Sequence, residues 1–574
     1  MSNPEVRIFR ETLIWPVKLD AVGSGGPMEA FERARELIEP GCNEQGCRRW
    51  QPHDPLVDEE PGISKAEKYS EFVYFHTFVQ SFLYGPANKK RSGSRATSHY
   101  RVYRRNDIAA IRVLVFDGWE KIEFEATLDI ERVRLYIFDA AIAILVVEMV
   151  HDPMAGSRPI AIKREGAPDE LRNFLLLTNA QSLLDQVRRT YPPYWTPCGA
   201  DHCLHKFEIL DCHRQPIADS AESPDFGFSD PLGESILANE HQDYVRRNRH
   251  PPVMRHWRHL MHPLEPTPMA AEGTGVGYSH LLDERIPLMA YLAFDEPFLL
   301  TPADFARLCF ADAGGDPGAL PYSPRFLANF EENFCYDRFW SGKDSPDYGW
   351  LSTRYLCSGY AFVVVGKYDP GEFFVENAQK HFRTHYFQFG LVAHFQKAAL
   401  LAIEDELSGV AEDIRGDAGS HYLKQVHGEL QRIEEMFLRF THRYWVAEVS
   451  NQVQARELFS LWVGHLGTKA LYQQVSDKLR DLYGYMEARV AWRRAEAADR
   501  LANLAAYGVI LGLPLAALAA DPLVSAVKQL YCDPQSIRST WPVFAWLAVA
   551  AALAFAPYWW LLRRSAKGRA GSKS

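Results

Sequence analysis

Short apolar runs alternate with helix-like patterns over the first two thirds of the chain. Runs of this length, rich in β-branched residues, predict strands, and apolar positions three or four residues apart predict helices. We therefore predict an α+β domain over residues 1–368. The predicted helices are Pro27–Glu39 and Asp169–Arg189. The predicted strands are Val6–Trp15, Ala109–Asp117, Arg132–Ala140, Ile142–Val150, Leu204–Leu210, Ile286–Phe294 and Tyr360–Val365.

The pattern changes to long helices over residues 369–500. The spacing predicts helices over Glu372–Glu406 and Tyr422–Arg443 and a third that begins near Val449. No proline occurs between Asn451 and Leu513, so we expect the third helix to continue as a stalk up to Pro514.

Two uncharged segments follow, residues 501–520 and 541–562. Twenty helical residues span about 30 Å, the thickness of the hydrocarbon layer of a membrane. Trp541 and the group Tyr558–Trp560 lie at the ends of the second segment, where aromatic residues meet the membrane interface. The sequence therefore predicts a C-terminal two-helix transmembrane hairpin, with residues 521–540 as its outer loop.

Lysine and arginine indicate the orientation of this hairpin. The tail, residues 563–574, carries five basic residues and no acidic residue, whereas the loop 521–540 carries only Lys528 and Arg538. Because basic residues favour the cytoplasmic side, we expect both termini in the cytoplasm. The predicted protein is an integral protein of the inner (cell) membrane, in contact with membrane lipid.

Composition narrows the possible functions. The net charge of −10 gives no sign of nucleic-acid binding, which usually needs a basic face. Nine scattered cysteines do not resemble a disulfide framework. The usual nucleotide, zinc-protease and serine-hydrolase motifs are missing, so we predict neither an enzyme nor a cofactor.

The order of these parts resembles that of CorA-type divalent-cation transporters: a large cytosolic α+β domain, long helices, two C-terminal spans and a basic tail. The resemblance implies a homo-oligomer, a pentamer in that family, that conducts a divalent cation through a pore lined by the first span. The family's Gly-Met-Asn motif is absent, because residues 518–523 read Leu-Ala-Ala-Asp-Pro-Leu.

One face of the first span carries polar residues. Such residues inside a membrane usually face a bundle interior or a cavity, and a ring of aspartates attracts cations. The alternative is that the polar residues lie at the membrane interface, where polarity costs little. The predicted pore-lining residues are Asn503, Tyr507, Ile510, Pro514 and Asp521.

Two further clusters suggest ligand sites. Cys198, Cys203, His205 and Cys212 offer sulfur and nitrogen ligands that suit zinc, although scattered cysteines are more often core residues. A basic segment offers an anion-binding surface; a solvated basic loop is the alternative. Its residues are Lys89, Lys90, Arg91, Arg95, Arg101, Arg104 and Arg105.

Two functions from different classes follow. The first is a CorA-like oligomeric cation channel or transporter with a large cytosolic regulatory domain. The second is a membrane-anchored cytosolic sensor or interaction protein without transport activity.

Overall fold

The computed structural model describes most of the chain up to residue 532. Contacts divide the chain into two compact units, Met1–Leu479 and Arg480–Ser574. The described ranges are 4–21, 26–39, 49–85, 100–117, 121–163, 168–190, 202–220, 253–267, 275–314, 322–341, 351–413 and 420–532, with single positions elsewhere.

The first unit is built on one large sheet, as the sequence predicts. Its main run of strands has the order β15-β16-β17-β14-β1-β6-β5-β4-β10-β11, and only the β14–β17 pair in this run is parallel. The strands are β1 Glu5–Ala21, β2 Gln51–Pro52, β3 Tyr100–Arg105, β4 Ile108–Asp117, β5 Lys121–Phe138, β6 Ile142–His151, β7 Ile160–Ile162, β8 Glu170–Arg172, β9 Leu175–Leu176, β10 His202–Asp211, β11 Pro216–Asp219, β12 Glu265–Pro266, β13 Val276–His280, β14 Leu288–Phe294, β15 Cys335–Trp340, β16 Ser352–Cys357 and β17 Ala361–Lys367.

Helices cover both faces of this sheet. Two π-helical segments, Phe374–Ala378 and Phe382–Tyr386, lead directly into α9, and a third, Phe440–Tyr444, follows α10. The α-helices of more than three residues are α1 Pro27–Ile38, α2 Lys65–Tyr74, α3 Thr77–Tyr84, α4 Leu177–Gln186, α5 Arg255–Met261, α6 Pro302–Phe310, α7 Pro324–Ala328, α8 Phe330–Phe334, α9 Phe387–Asp413, α10 Ser420–Arg439, α11 Val453–Leu466 and α12 Thr468–Cys532.

Strand β1 lies near the middle of the sheet and shows how the two faces differ. It pairs with β6 over residues 9–18 and with β14 over residues 6–13. Because side chains alternate along a strand, Phe9, Leu13 and Trp15 enter the main apolar core, while Arg10 and Ile14 point to the opposite face.

The two faces of the sheet pack against different helices. The main core packs against α1, α4, α5 and α6, which contribute Phe31, Leu183, Trp257 and Phe305. The opposite face packs against α9, where the rings of Phe138 and Phe395 lie 4.3 Å apart. Both faces are therefore covered, which explains why β6 and β14 are apolar almost throughout.

Three predicted helices have different limits in the structure. Residues 170–172 and 175–176 are strands, and only Leu177–Gln186 of the predicted 169–189 helix is α-helical. The predicted 372–406 helix begins with π-helical segments and continues to Asp413. The predicted stalk is interrupted at Gly467, which adopts a left-handed conformation with φ of 64° and ends α11.

The prediction of a C-terminal transmembrane hairpin, and with it the location in a membrane with both termini in the cytoplasm, is contradicted. Among the described residues, no helix combines the length and apolar content that crossing a bilayer requires. Residues 501–520 belong to α12, which carries many charged residues before this run and continues through the predicted outer loop to Cys532.

The rest of the predicted hairpin cannot be compared with the structure. The second predicted span, residues 541–562, lies outside the described residues apart from single positions, and the basic tail, residues 563–574, lies wholly outside them.

The left-handed turn at Gly467 gives a first prediction. Replacement by alanine places a Cβ in a conformation that L-residues disfavour, so Gly467→Ala should lower the free energy of unfolding by about 1 kcal/mol. Gly464→Ala is the matched control, because Gly464 is exposed inside α11 with open space around it. That variant should be more stable by about 0.5–1 kcal/mol. Urea denaturation that shows equal effects would contradict the assigned end of α11.

The buried His256 gives a second prediction. Its ring is fully buried and stacks on Phe207 at 4.0 Å, and burial lowers its pKa to about 3. Below pH 6.5 the unfolded chain binds a proton that the folded protein excludes, so stability falls as the pH falls from 6.5. His256→Phe should remove this dependence, with a difference of about 2 kcal/mol between the two proteins' stability losses from pH 7 to pH 5. The exposed His213→Phe should leave the pH profile unchanged; a similar change in both variants would disprove the assignment.

Candidate anion-binding site

The sheet face that packs against α9 carries a cluster of charged side chains. Arg132 of β5 lies opposite Glu148 of β6 in the strand register, and Arg10 of β1 lies one strand further along. Arg134 follows two residues after Arg132 on the same face of β5. Arg383 reaches the group from the π-helical segment before α9. All five side chains are at least nine-tenths buried.

Glu148 lies at the centre of the cluster. Its Oε1 accepts hydrogen bonds from Arg10 Nη1 at 2.8 Å and from Arg383 Nε at 2.9 Å, and its Oε2 accepts one from Arg132 Nε. Burial alone would raise the pKa of Glu148, but these three guanidinium groups outweigh burial and hold the pKa far below its usual value. The carboxylate is therefore charged at neutral pH.

Glu131 is the second carboxylate of the cluster. Arg10 Nη1 and Nη2 lie 2.7 and 3.1 Å from its two oxygens, and Arg383 Nη2 lies 2.5 Å from Oε2. Arg10 and Arg383 are therefore each shared between Glu131 and Glu148.

Glu60 is the third carboxylate and comes from the loop between β2 and α2. It lies 2.7 Å from Arg134 Nη2, 3.3 Å from Lys68 Nζ and 3.6 Å from Arg132 Nη1. Burial would raise the pKa of Glu60, but a hydrogen bond from His53 and the charges of Arg134, Arg132 and Lys68 lower it strongly. A surface loop thus inserts a charged carboxylate among the buried cations.

The cluster holds more positive than negative charge. Five cations face three carboxylates, which leaves a surplus of two positive charges. A fourth acid, Glu71, is buried beside Tyr84 and Gln388, and burial raises its pKa; with its carboxylate counted as charged, the surplus is one. The cations are Arg10, Arg132, Arg134, Arg383 and Lys68; the carboxylates are Glu60, Glu131 and Glu148.

Two observations agree with this surplus. The Nε atom of Arg10 is buried and has no hydrogen-bond partner among the described residues. The pKa of Arg383 is lowered by burial and by the neighbouring charges of Arg10 and Arg132, although Glu148 opposes the shift. Buried positive charge without full compensation is costly, and an anion would relieve that cost.

A cavity of about 550 Å³ adjoins the cluster on the side of Glu60. Its charged wall is formed by Asp58, Glu59, Glu60, Lys65 and Lys68, and Leu56, Tyr69 and Phe72 are among the residues that form its apolar wall. A volume of 300–1,000 Å³ is typical of sites for small organic ligands.

A second cavity, of about 510 Å³, lies between α10 and the end of β1, and its cations are already paired. Lys18 Nζ lies 2.8 Å from Asp405 and 2.9 Å from Glu406, and Arg432 lies 2.7 Å from Glu406. Of these two cavities, only the first therefore borders a cluster with surplus positive charge.

The three described arginines of the predicted basic segment are not among the cations of this cluster. Lys89, Lys90, Arg91 and Arg95 lie outside the described residues. The three described arginines belong to β3 and alternate between its faces, so Arg104 points away from Arg101 and Arg105. Arg105 forms two hydrogen bonds with Asp107, at 2.9 and 2.6 Å, and Arg101 lies 3.9 Å from Glu39.

The predicted pore and zinc residues are placed as follows. Asn503, Tyr507 and Ile510 are exposed on α12; Pro514 and Asp521 are in the same helix, and their side chains are not described. Cys203 and His205 are in β10 with undescribed side chains, Cys212 is exposed, and Cys198 lies outside the described residues. Among the described side chains, no group of three or more His, Cys, Asp or Glu is arranged to hold a metal ion.

No family model, curated protein or solved structure matches this sequence. The geometry of the chain is therefore the basis for its functional interpretation.

The sequence pattern holds a signal for this cluster. Glu148 interrupts the otherwise apolar run of β6, and Arg10 and Arg132 each lie beside apolar residues in β1 and β5. Such a charge must have an opposite charge beside it. Three such charges of both signs on neighbouring strands therefore indicate a buried ion-pair network.

Removal of the central carboxylate tests this network. Glu148→Gln keeps the shape of the side chain but leaves three guanidinium groups around a neutral amide, so the free energy of unfolding should fall by about 3 kcal/mol or more. Glu36→Gln, in the exposed part of α1, is the matched control and should change stability by less than about 0.5 kcal/mol. Equal denaturation midpoints for Glu148→Gln and the wild type would show that the network does not stabilise the fold.

Proposed function

We propose that the protein is a sensor that binds a small anion at the arginine cluster between the sheet and α9. The observation that carries this proposal is the surplus of positive charge in the cluster, whose five cations are each at least nine-tenths buried. Guanidinium groups present paired donors that match carboxylate and phosphate oxygens. This cluster thus has the chemistry of an anion site.

The position of the cluster supports a sensing role. Arg383 belongs to the helical run that leads into α9, while its partners belong to β5 and β6. Arg132 also donates a hydrogen bond to the backbone oxygen of Arg383 at 3.1 Å and lies over the ring of Phe387. An anion that changes the positions of these arginines would also change the contact between the sheet and the long helices.

Cation transport is an untested prediction, as are the homo-oligomer, the divalent cation and the absence of an enzymatic activity. The transport interpretation depended on the predicted hairpin, which the structure does not contain among its described residues. The sensor interpretation needs neither a pore nor a particular number of copies. We therefore propose the sensor function.

Binding of inorganic phosphate tests the proposal. The melting temperature of the wild type should rise with phosphate concentration more than with sodium chloride of equal ionic strength, because a ligand that binds only the folded state stabilises it. Calorimetric titration should show a weaker site in Arg134→Met, by at least tenfold, which corresponds to about 1.4 kcal/mol.

Arg112→Met is the matched control, since Arg112 is a sheet arginine that pairs with Glu208 outside the cluster. It should bind phosphate as the wild type does. If phosphate, sulfate and acetate all fail to bind the wild type and to raise its melting temperature beyond the salt control, the proposed function is wrong.

A further inference from the structure

The loop between β2 and α2 contributes the one carboxylate of the cluster that comes from outside the sheet. Glu131 and Glu148 belong to β5 and β6, whereas Glu60 reaches Arg134, Arg132 and Lys68 from residues 53–64. Three cations around one carboxylate form a site with the charge and donors that an external carboxylate or phosphate would need.

The loop is largely closed on itself. Asp58 accepts a hydrogen bond from the backbone of Asp54, and Glu60 and Ile63 form an isolated bridge. Lys68 of α2 donates to the backbone oxygens of Pro55 and Asp58. These bonds join the loop to itself and to the start of α2, and the backbone nitrogen of His53 donates to the backbone oxygen of Val102 in β3 at 2.8 Å. The side chain of Glu60 can therefore leave the arginines without movement of the loop backbone.

Gly62 shows how closely the loop covers the cluster. It has a positive φ of 69°, and a Cβ built on it would lie 2.9 Å from Nη1 of Arg383. The backbone of the loop therefore lies directly on one of the four arginines. A ligand that enters from the cavity reaches the space of Glu60 before it reaches Arg132 or Arg134.

The residues that line the cavity indicate the chemistry of the part of the ligand beyond its anionic group. Leu56 and Tyr69 are exposed by 37% and 69%, and Phe72 lies beside them on the face of α2 that lines the cavity. Apolar side chains beside a charged wall suit a molecule with an anionic head and an apolar or aromatic body.

We infer that Glu60 is an internal substitute for the ligand, which is a carboxylate or phosphate monoester with an apolar or aromatic body. This inference rests on the proposed anion site. The ligand places its head between Arg132, Arg134 and Lys68, displaces the carboxylate of Glu60, and rests its body in the 550 Å³ cavity. Binding is a competition between two anions for the same cations, so Glu60 sets the affinity.

A charge-neutral variant of Glu60 tests the competition. Glu60→Gln should raise the affinity for inorganic phosphate at least tenfold in calorimetric titration, because the internal competitor is lost while the cations remain. Glu59→Gln is the matched control, since Glu59 is exposed in the same loop and lines the same cavity. Its affinity should stay within twofold of the wild type.

The body of the ligand is tested with phenyl phosphate and phenylacetate, compared with inorganic phosphate and acetate. The aromatic probes should bind Glu60→Gln at least fivefold more tightly than the simple anions. Tyr69→Ala, made in the Glu60→Gln background, should remove this preference but leave phosphate binding unchanged. Phe78→Ala in that background is its control, because Phe78 is also an exposed aromatic residue but does not line the cavity. The stronger of the two aromatic probes identifies the head group.

The outcomes separate this inference from the proposed function. Equal phosphate affinity in Glu60→Gln, Glu59→Gln and the wild type would show that the site binds anions but that Glu60 does not compete with them. No binding by any of the three proteins would overturn the anion site itself. Equal binding of aromatic and simple anions would disprove the assigned ligand class.

Discussion

The need to compensate one buried charge is the constraint that fixes how the central strands pack against the helical run that leads into α9. Glu148 has no exposed surface, and removing a carboxylate from water costs several kcal/mol unless opposite charges and hydrogen bonds replace the water. Arg10, Arg132 and Arg383 provide that replacement, each with a hydrogen bond to Glu148. The strands β1, β5 and β6 and the run that leads into α9 must therefore keep their relative positions.

The same constraint connects structure with function. The three arginines that compensate Glu148 lie with Arg134 and Lys68, and these five cations outnumber the three carboxylates of the cluster. One of those carboxylates, Glu60, comes from a loop, and we propose that an external anion takes its place. Stability and ligand binding thus depend on one set of side chains, so a ligand that changes their partners also changes the contact between the sheet and the long helices.

The strands were predictable from the sequence, because their burial determines which side chains they can carry. The predicted β-branched runs correspond to the central strands, since strands buried on both faces must be apolar. Helix limits were less predictable, because they depend on single residues. Gly467 ends α11 through a left-handed conformation that spacing alone does not reveal, whereas α12 contains Pro514 without ending there. The predicted hairpin was wrong, because no helix of the described residues is long and apolar enough to cross a bilayer.

The candidate site was predictable only in part. Arg10 and Glu148 are visible as charges within apolar strands, but their partner Arg383 lies 235 residues after Glu148 in the sequence. Only the folded chain brings them together. The basic segment drew attention to anion chemistry, yet its described residues Arg101 and Arg105 lie beside the acids Glu39 and Asp107. A high density of basic residues along the sequence is therefore a poorer indicator of an anion-binding site than buried positive charge that lacks enough negative partners.

A crystal structure of the protein grown with selenate would test the central claim most directly, because selenium gives an anomalous signal that locates the anion. We expect a peak within hydrogen-bond distance of Arg132 and Arg134, with the carboxylate of Glu60 moved away from both. Full occupancy of that position by Glu60 at high selenate concentration, with no peak at the arginine cluster, would contradict the claim.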